Sequence, residues 1–316
     1  MLTRRSTAPR PRRGFTLIEI LVVIAIIGVL TAISAGALFR LRATQTVNNT
    51  EGTQSKLHGL MMTRWSAVLG QSKKTVPPAL LVLCIEDKDR AASVWAYATL
   101  KNEFPTTFAE ATTPINLGGG VILQPRGIFK KFALANPGIT APDEQSAALF
   151  YVAITQGGNG GNAAGSDGSD QQTGTLAGGA SVYKDGWGTH IAFVRNASFG
   201  EIGAPPYMRA NTIQVPNASP PPLTVPFIVK NPLDPTGLLL LRPGNPWAST
   251  APTNSYRATM LTGLGLADFT NETFLPTLVS AGANKKFGTN YFDVVADDSA
   301  DNLLSYRLRR EGDKGN

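Results

Sequence analysis

From Phe15 to Phe39 the chain runs apolar, interrupted only by scattered Thr, Ser and Gly and by one charged side chain, Glu19. A run of that kind must be removed from water by something. As an α-helix rising 1.5 Å per residue it would extend about 37 Å, more than the roughly 30 Å hydrocarbon core of a bilayer. Five arginines, Arg4, Arg5, Arg10, Arg12 and Arg13, precede the run, and Arg40 and Arg42 follow it. The positive-inside bias then puts the N-terminus in the cytoplasm and the bulk of the chain outside. Those arginines also locate the basicity. Of the net charge of +7, five positives lie before Gly14, where no acidic residue occurs, which leaves +2 for the rest. The body is therefore nearly neutral, and a nucleic-acid-binding face is not indicated.

Two plain readings fit part of this pattern. A secretory signal peptide would have the same basic start, with Ala35-Gly36-Ala37 as a small-residue cleavage site. Its apolar region, however, is usually about 7–15 residues long and needs no carboxylate. A simple membrane anchor would gain nothing from Glu19, since an isolated carboxylate at depth costs on the order of 2.5–3.5 kcal/mol on insertion scales.

The string Arg13-Gly14-Phe15-Thr16-Leu17-Ile18-Glu19 resembles the prepilin peptidase site of type IV pilins and pseudopilins. What the resemblance implies is specific. The peptidase, also a methyltransferase, cuts after Gly14 and leaves Phe15 as an N-methylated terminus. Glu19, fifth in the mature chain, meets the α-amine of a neighbouring subunit and neutralises it within lipid. The implied fold is α+β and pilin-like: a long N-terminal helix, transmembrane in one half and amphipathic in the other, on a globular head with further helices and an antiparallel sheet. The implied partners are the peptidase, other pilin or pseudopilin subunits, an inner-membrane assembly platform and membrane lipid. Such a subunit sits in the bacterial inner membrane with its head outside the cytoplasm before joining an envelope fibre.

The domain plan follows: a leader at 1–14, an assembly helix at 15–39, its amphipathic continuation at 40–72 and a head at 73–316. Leu57, Leu60, Met61, Trp65, Val68 and Leu69 recur at helical spacing, against polar Gln54, Lys56 and Thr63. Asn48-Asn49-Thr50-Glu51-Gly52 is the weak link in that helix, and Pro77-Pro78 ends it. A second helix is predicted over 86–104, capped by Asp87 or Asp89, and a third over 142–155 with Asp143 and Glu144 in its first turn. The Gly/Asn/Ser/Asp tract at 157–181 reads as a surface loop, and 204–252, rich in Pro, as extended connections. Strands are predicted at 190–195, 212–215, 226–230, 237–241, 277–280 and 291–295.

Two turns sharpen the likeness to type II secretion pseudopilins. Asp185-Gly186-Trp187-Gly188 looks like the Asp-x-Trp-Gly turn of that family, with Asp185 bonding its own backbone and Trp187 anchoring the hairpin in the core. Ser280-Ala281-Gly282-Ala283-Asn284 resembles its Ser-x-Gly-x-Asp turn, with Asn284 where Asp is usual. The acidic residues Asp293, Asp297, Asp298 and Asp301 could offer calcium the hard oxygens it requires, and the core pseudopilins carry calcium in a C-terminal loop. No other cofactor is expected. Cys84 is alone, which excludes an intrachain disulfide, and reads as a small buried hydrophobe. His58 and His190 are the only histidines, and no HExxH, CxxC or Ser-His-Asp pattern points to an enzyme. The expected role is a structural subunit that polymerises for protein export; the alternative is a minor pilin binding DNA or another ligand in uptake or adhesion.

Overall fold

The computed structural model describes residues 17–156, 172–197, 212–215, 223–226, 233–234, 239, 251–266, 275–288, 298 and 301–305. The chain divides into two units, residues 1–48 and 49–316. One helix, α1, Leu17–Ser72, runs through both.

Over Leu17–Ala35, in the first unit, α1 is apolar on nearly every side. No residue of Leu17–Ala35 is buried against protein, and Leu17, Ile20, Val23, Ile24, Ile27 and Leu30 are all exposed. A helix without a polar face belongs in lipid or in a bundle interior. Its hydroxyls turn inward to the helix itself: Thr31 Oγ1 donates to the carbonyl of Ile27, four residues back, at 2.7 Å. This is the one described helix long and apolar enough to cross a membrane.

In the second unit α1 is a core helix. Leu57, Met61 and Trp65 are buried. The sequence Asn48–Gly52 was expected to loosen the helix, but α1 continues through it, because Thr50 is wholly buried and held by the head. Gln54, assigned to the polar face, is also wholly buried. The apolar stripe read from Leu57 and Met61 extends backwards by helical steps through Gln54 and Thr50, so those polar residues inherit the buried face.

After α1 the chain reverses through Pro77 into the short helix α2, Pro78–Leu83, which has proline at its start. Ile85 and Glu86 then adopt left-handed φ values of 59° and 57°, and Glu86 N–H closes onto the carbonyl of Leu81 at 2.7 Å. The sharp stop aims the chain into α3, Lys88–Glu103, where Asp87 caps the helix by accepting from the amides of Asp89 and Arg90. Cys84 is wholly buried at this corner, and burial pushes its thiol up to about 12. Helix α4, Phe108–Thr112, follows, then the hairpin of β1, Ile115–Asn116, and β2, Ile122–Leu123. Its tip, Gly118 to Gly120, has three consecutive positive φ angles, which only glycines adopt without strain. Helix α5, Gly127–Ala135, precedes α6, Pro142–Gln156. Neither α2, α4, α5 nor the β1–β2 hairpin was predicted.

The tract at 157–181 is not all loop. Residues 157–171 lie outside the described residues, but β3, Thr173–Thr175, pairs antiparallel with β4, Ser181–Tyr183. Strand β5 covers Ala192–Ala197, two residues later than predicted. Next come β6, Thr212–Val215, and β7, Leu223–Pro226, which form an antiparallel pair. The segment 226–230 is therefore a strand only at its first residue among the described ones. Of 237–241 only Leu239 is described, in a turn, and 291–295 lies outside the described residues. Helix α7, Ala251–Leu264, follows the proline-rich stretch. Strand β8, Leu275–Ser280, pairs antiparallel with both β5 and β9, Leu303–Leu304, giving a three-stranded sheet of order β5-β8-β9. The architecture is α+β, a long N-terminal helix with further helices and small antiparallel sheets.

Rings join the layers of the core. Trp65 of α1, Phe104, Phe193 of β5 and Phe150 of α6 follow one another at centroid distances of 5.4, 5.9 and 5.1 Å, within the range of favourable aromatic pairs. Arg64 donates to Glu103 at 3.0 Å and to the carbonyl of Ala153, and Arg126 pairs with the same Glu103.

Candidate functional site

Two regions carry the sequence-predicted functional residues. At the N-terminus Gly14 and Phe15 lie outside the described residues, while Glu19 stands in the first turn of α1. A carboxylate there is favoured by the positive end of the helix dipole.

The second region joins α1 to the C-terminal strand, and it brings together the two turns that were read separately. Asp185 is wholly buried. Its Oδ1 accepts from the amides of Trp187 and Thr189 at 3.0 and 2.8 Å. Its Oδ2 accepts from Ser280 Oγ at 2.6 Å, and Ser280 Oγ in turn accepts from the amide of Gly282 at 3.3 Å. One carboxylate thus ties the turn before β5 to the turn after β8. Burial pushes the Asp185 carboxyl up, against the opposing hydrogen bonds from Ser280, Thr189 and Trp187. Trp187 is not the anchor it was expected to be. The residue is only half-buried, and the Asp185 carboxylate organises the turn from inside.

Three α1 side chains spaced four apart reach the same region. Thr50 Oγ1 accepts from the amide of Gly186 at 2.9 Å. Gln54 Nε2 donates to the carbonyl of Leu303 at 2.9 Å. His58 Nδ1 lies 3.0 Å from Ser305 Oγ, which also accepts from the amide of Leu278 at 2.9 Å. These three residues form a polar ladder from α1 to the turn before β5, to β9 and to Ser305 just after it. The sequence reading missed it, although the backward extension of the apolar stripe marks its first two rungs. His190 Nε2 lies 2.8 Å from Asp143 Oδ2, and this contact holds the Asp143 carboxyl below its usual range.

The C-terminal turn shows what Asn284 does. Gly282 has φ +67°, and a Cβ there would lie 2.3 Å from the carbonyl oxygen of Asp301. The close approach lets the amide of Asn284 donate to Asp301 Oδ2 at 2.9 Å and its side-chain Nδ2 donate to the carbonyl of Asp298 at 3.0 Å. Lys286 Nζ lies 3.1 Å from Asp298 Oδ1. Amide and ammonium donors therefore meet the acidic segment here. Asp301 Oδ1 is buried with no hydrogen-bond partner among the described residues. Asp293 and Asp297 lie outside the described residues. Among the described residues no three His, Cys, Asp or Glu side chains gather to share an ion.

No curated protein and no solved structure matches the chain at a significant level. Residues 9–35 match the family model described as the prokaryotic N-terminal methylation motif. With the apolar helix that begins inside it, this match supports a type IV pilin-like protein.

Proposed function

We propose that the chain is the precursor of a pseudopilin-type structural subunit, without enzymatic activity of its own, that polymerises through its N-terminal helix. The observation that carries the reading is the methylation motif at residues 9–35 followed by a helix apolar on nearly all sides. A prepilin peptidase cuts between Gly14 and Phe15, and Phe15 is N-methylated. In the fibre Glu19 of one subunit meets the Phe15 amine of the next, so that two charges costly to hold separately in lipid cancel. The assembled product is a type II secretion-type pseudopilus or a type IV pilus-like fibre serving protein export. Before assembly the subunit lies in the bacterial inner membrane with its head outside the cytoplasm. The two turns tied by Asp185 fit a pseudopilin head, since both were read from that family's pattern.

The test is mass spectrometry of the membrane-bound chain and of a Gly14→Trp variant. The mature wild-type chain begins at N-methyl-Phe15, and the variant keeps its leader because a bulky residue cannot sit beside the peptidase's catalytic centre. A wild-type chain cut after Ala37, or a variant that matures normally, overturns the reading.

A further inference from the structure

Between α4, β1 and the C-terminal half of α7 lies a cavity of about 560 Å³ with Lys101 and Glu110 in its lining. A space of this size accommodates a small molecule. Its wall is set by a close approach: α7 sits so near β1 that a Cβ on Gly263 would lie 2.0 Å from the carbonyl oxygen of Asn116.

The charges at its edge do not balance. Arg195 grips Glu110 in a two-pronged pair, Nη1 to Oε2 at 2.7 Å and Nη2 to Oε1 at 2.8 Å. Glu110 also accepts from the amide and hydroxyl of Thr106. Its negative charge is thus matched by Arg195. Lys101 is left over, with Nζ 3.6 Å from Glu110 Oε1 and donating to the carbonyl of Gly263 at 3.2 Å. That carbonyl belongs to the negative end of α7, which offsets part of a unit charge. Two cations share one anion, with side chains only 10%, 12% and 18% exposed, so the cluster carries a net positive charge among the described residues. An ammonium has three donors, and holding it largely out of water without an anion is costly. Hydroxyl and amide side chains complete the lining at Thr113, Asn116 and Thr262.

We propose that this cavity binds a hydroxylated monocarboxylate of sugar size, with its carboxylate on Lys101 Nζ and its hydroxyls on Thr113, Asn116 and Thr262. A hexuronate, the acidic unit of many polysaccharides, is the simplest molecule of this class. The site belongs to the head alone and does not depend on how residues 9–35 are processed.

The probe is glucuronate, titrated calorimetrically into the full chain in detergent micelles, with glucose as the neutral comparison. Saturable glucuronate binding at least tenfold tighter than glucose, weakened about tenfold or more in Lys101→Met, is the expected result. Because Lys101→Met disturbs a buried ion cluster, a second variant decides the case if it misfolds. Ala258→Phe, at an exposed position in the lining, leaves that cluster intact and weakens binding by obstructing the cavity. Absence of glucuronate binding at millimolar concentration, equal binding of glucose, or undiminished binding to Ala258→Phe overturns the proposal.

Discussion

Replacing Asp185 separates hydrogen bonding from charge at the junction of the two turns. The Ala variant strands the amides of Trp187 and Thr189 and the hydroxyl of Ser280, all of which now donate to one wholly buried carboxylate. A buried donor left unsatisfied costs about 1–3 kcal/mol. The half-burial of Trp187 and Thr189 lets water recover part of that loss, so the low end applies and Asp185→Ala should cost about 3–4 kcal/mol. The Asn variant behaves differently. Its Oδ1 keeps both backbone amides, and its Nδ2 can donate to Ser280 Oγ in place of accepting from it. It also removes the burial penalty that pushes the Asp185 carboxyl up. Asp185→Asn should therefore cost about 1 kcal/mol or less. The pH dependence follows from the sign of the shift. A folded pKa above the unfolded one means that the native state binds the proton more tightly, so this group's contribution declines as pH rises from about 3.8 through the raised value. In the Asn variant that decline is absent. Urea unfolding of the full chain in micelles, followed by tryptophan fluorescence, gives both quantities. An Asn variant as damaged as the Ala variant would show that the charge itself is required, and an Ala cost below about 1 kcal/mol would remove Asp185 as the organising group.

Three other outcomes are expected. Glu19→Val should insert at least as well as wild type, because it removes a carboxylate from the apolar helix, yet fail to enter fibres; normal incorporation, read by immunoblot of sheared fibres, refutes the intersubunit pairing. Burial alone would raise the Glu110 carboxyl, but the Arg195 pair, helped by the Thr106 amide and Lys101, brings it down to about 2 from 4.5. That contribution, about 3 kcal/mol, is complete above pH about 4.5 and lost as pH falls towards 2, so Glu110→Gln should flatten the acid limb of a stability profile, and an unchanged limb refutes the pairing. If Asp301 with Asp293, Asp297 and Asp298 holds calcium, the melting temperature rises with calcium, by about 2.7 kcal/mol of stability at a hundredfold excess over the dissociation constant, and magnesium substitutes poorly. Equal midpoints in calcium, magnesium and chelator leave the loop held by the Lys286 charge and the Asn284 hydrogen bonds.

The sequence was legible wherever a local rule acted alone. Helix α3 starts where Asp87 caps it, and α6 where Pro142 is followed by two acidic residues, because capping and dipole effects depend only on neighbours. The apolar helix needed no partner to be recognised. Helix α7 was missed because its sequence, beginning Ala251-Pro252-Thr253-Asn254, follows a proline-rich stretch and is fixed by contact with β1 and α3. The roles of Gln54 and Thr50 were misread for a related reason. Polar residues count as exposed in a periodicity argument unless their distant partners, here Leu303 and Gly186, are known. The turns at Asp185 and Ser280 were each visible as a turn, but the 2.6 Å bond between them links residues 95 positions apart.

That polar ladder also imposes an order in time. Gln54 waits for a carbonyl 249 residues further along the chain, and at about 5–20 residues per second the gap in synthesis is roughly 12–50 s. The stem helix, whose hydrogen bonds are local, can form at once. The Thr50 rung can close once Gly186 is made, but those at Gln54 and His58 stay open until Leu303 and Ser305 arrive. A nascent chain that stops short of Leu303 therefore carries a finished stem helix and a head latched at one rung of three.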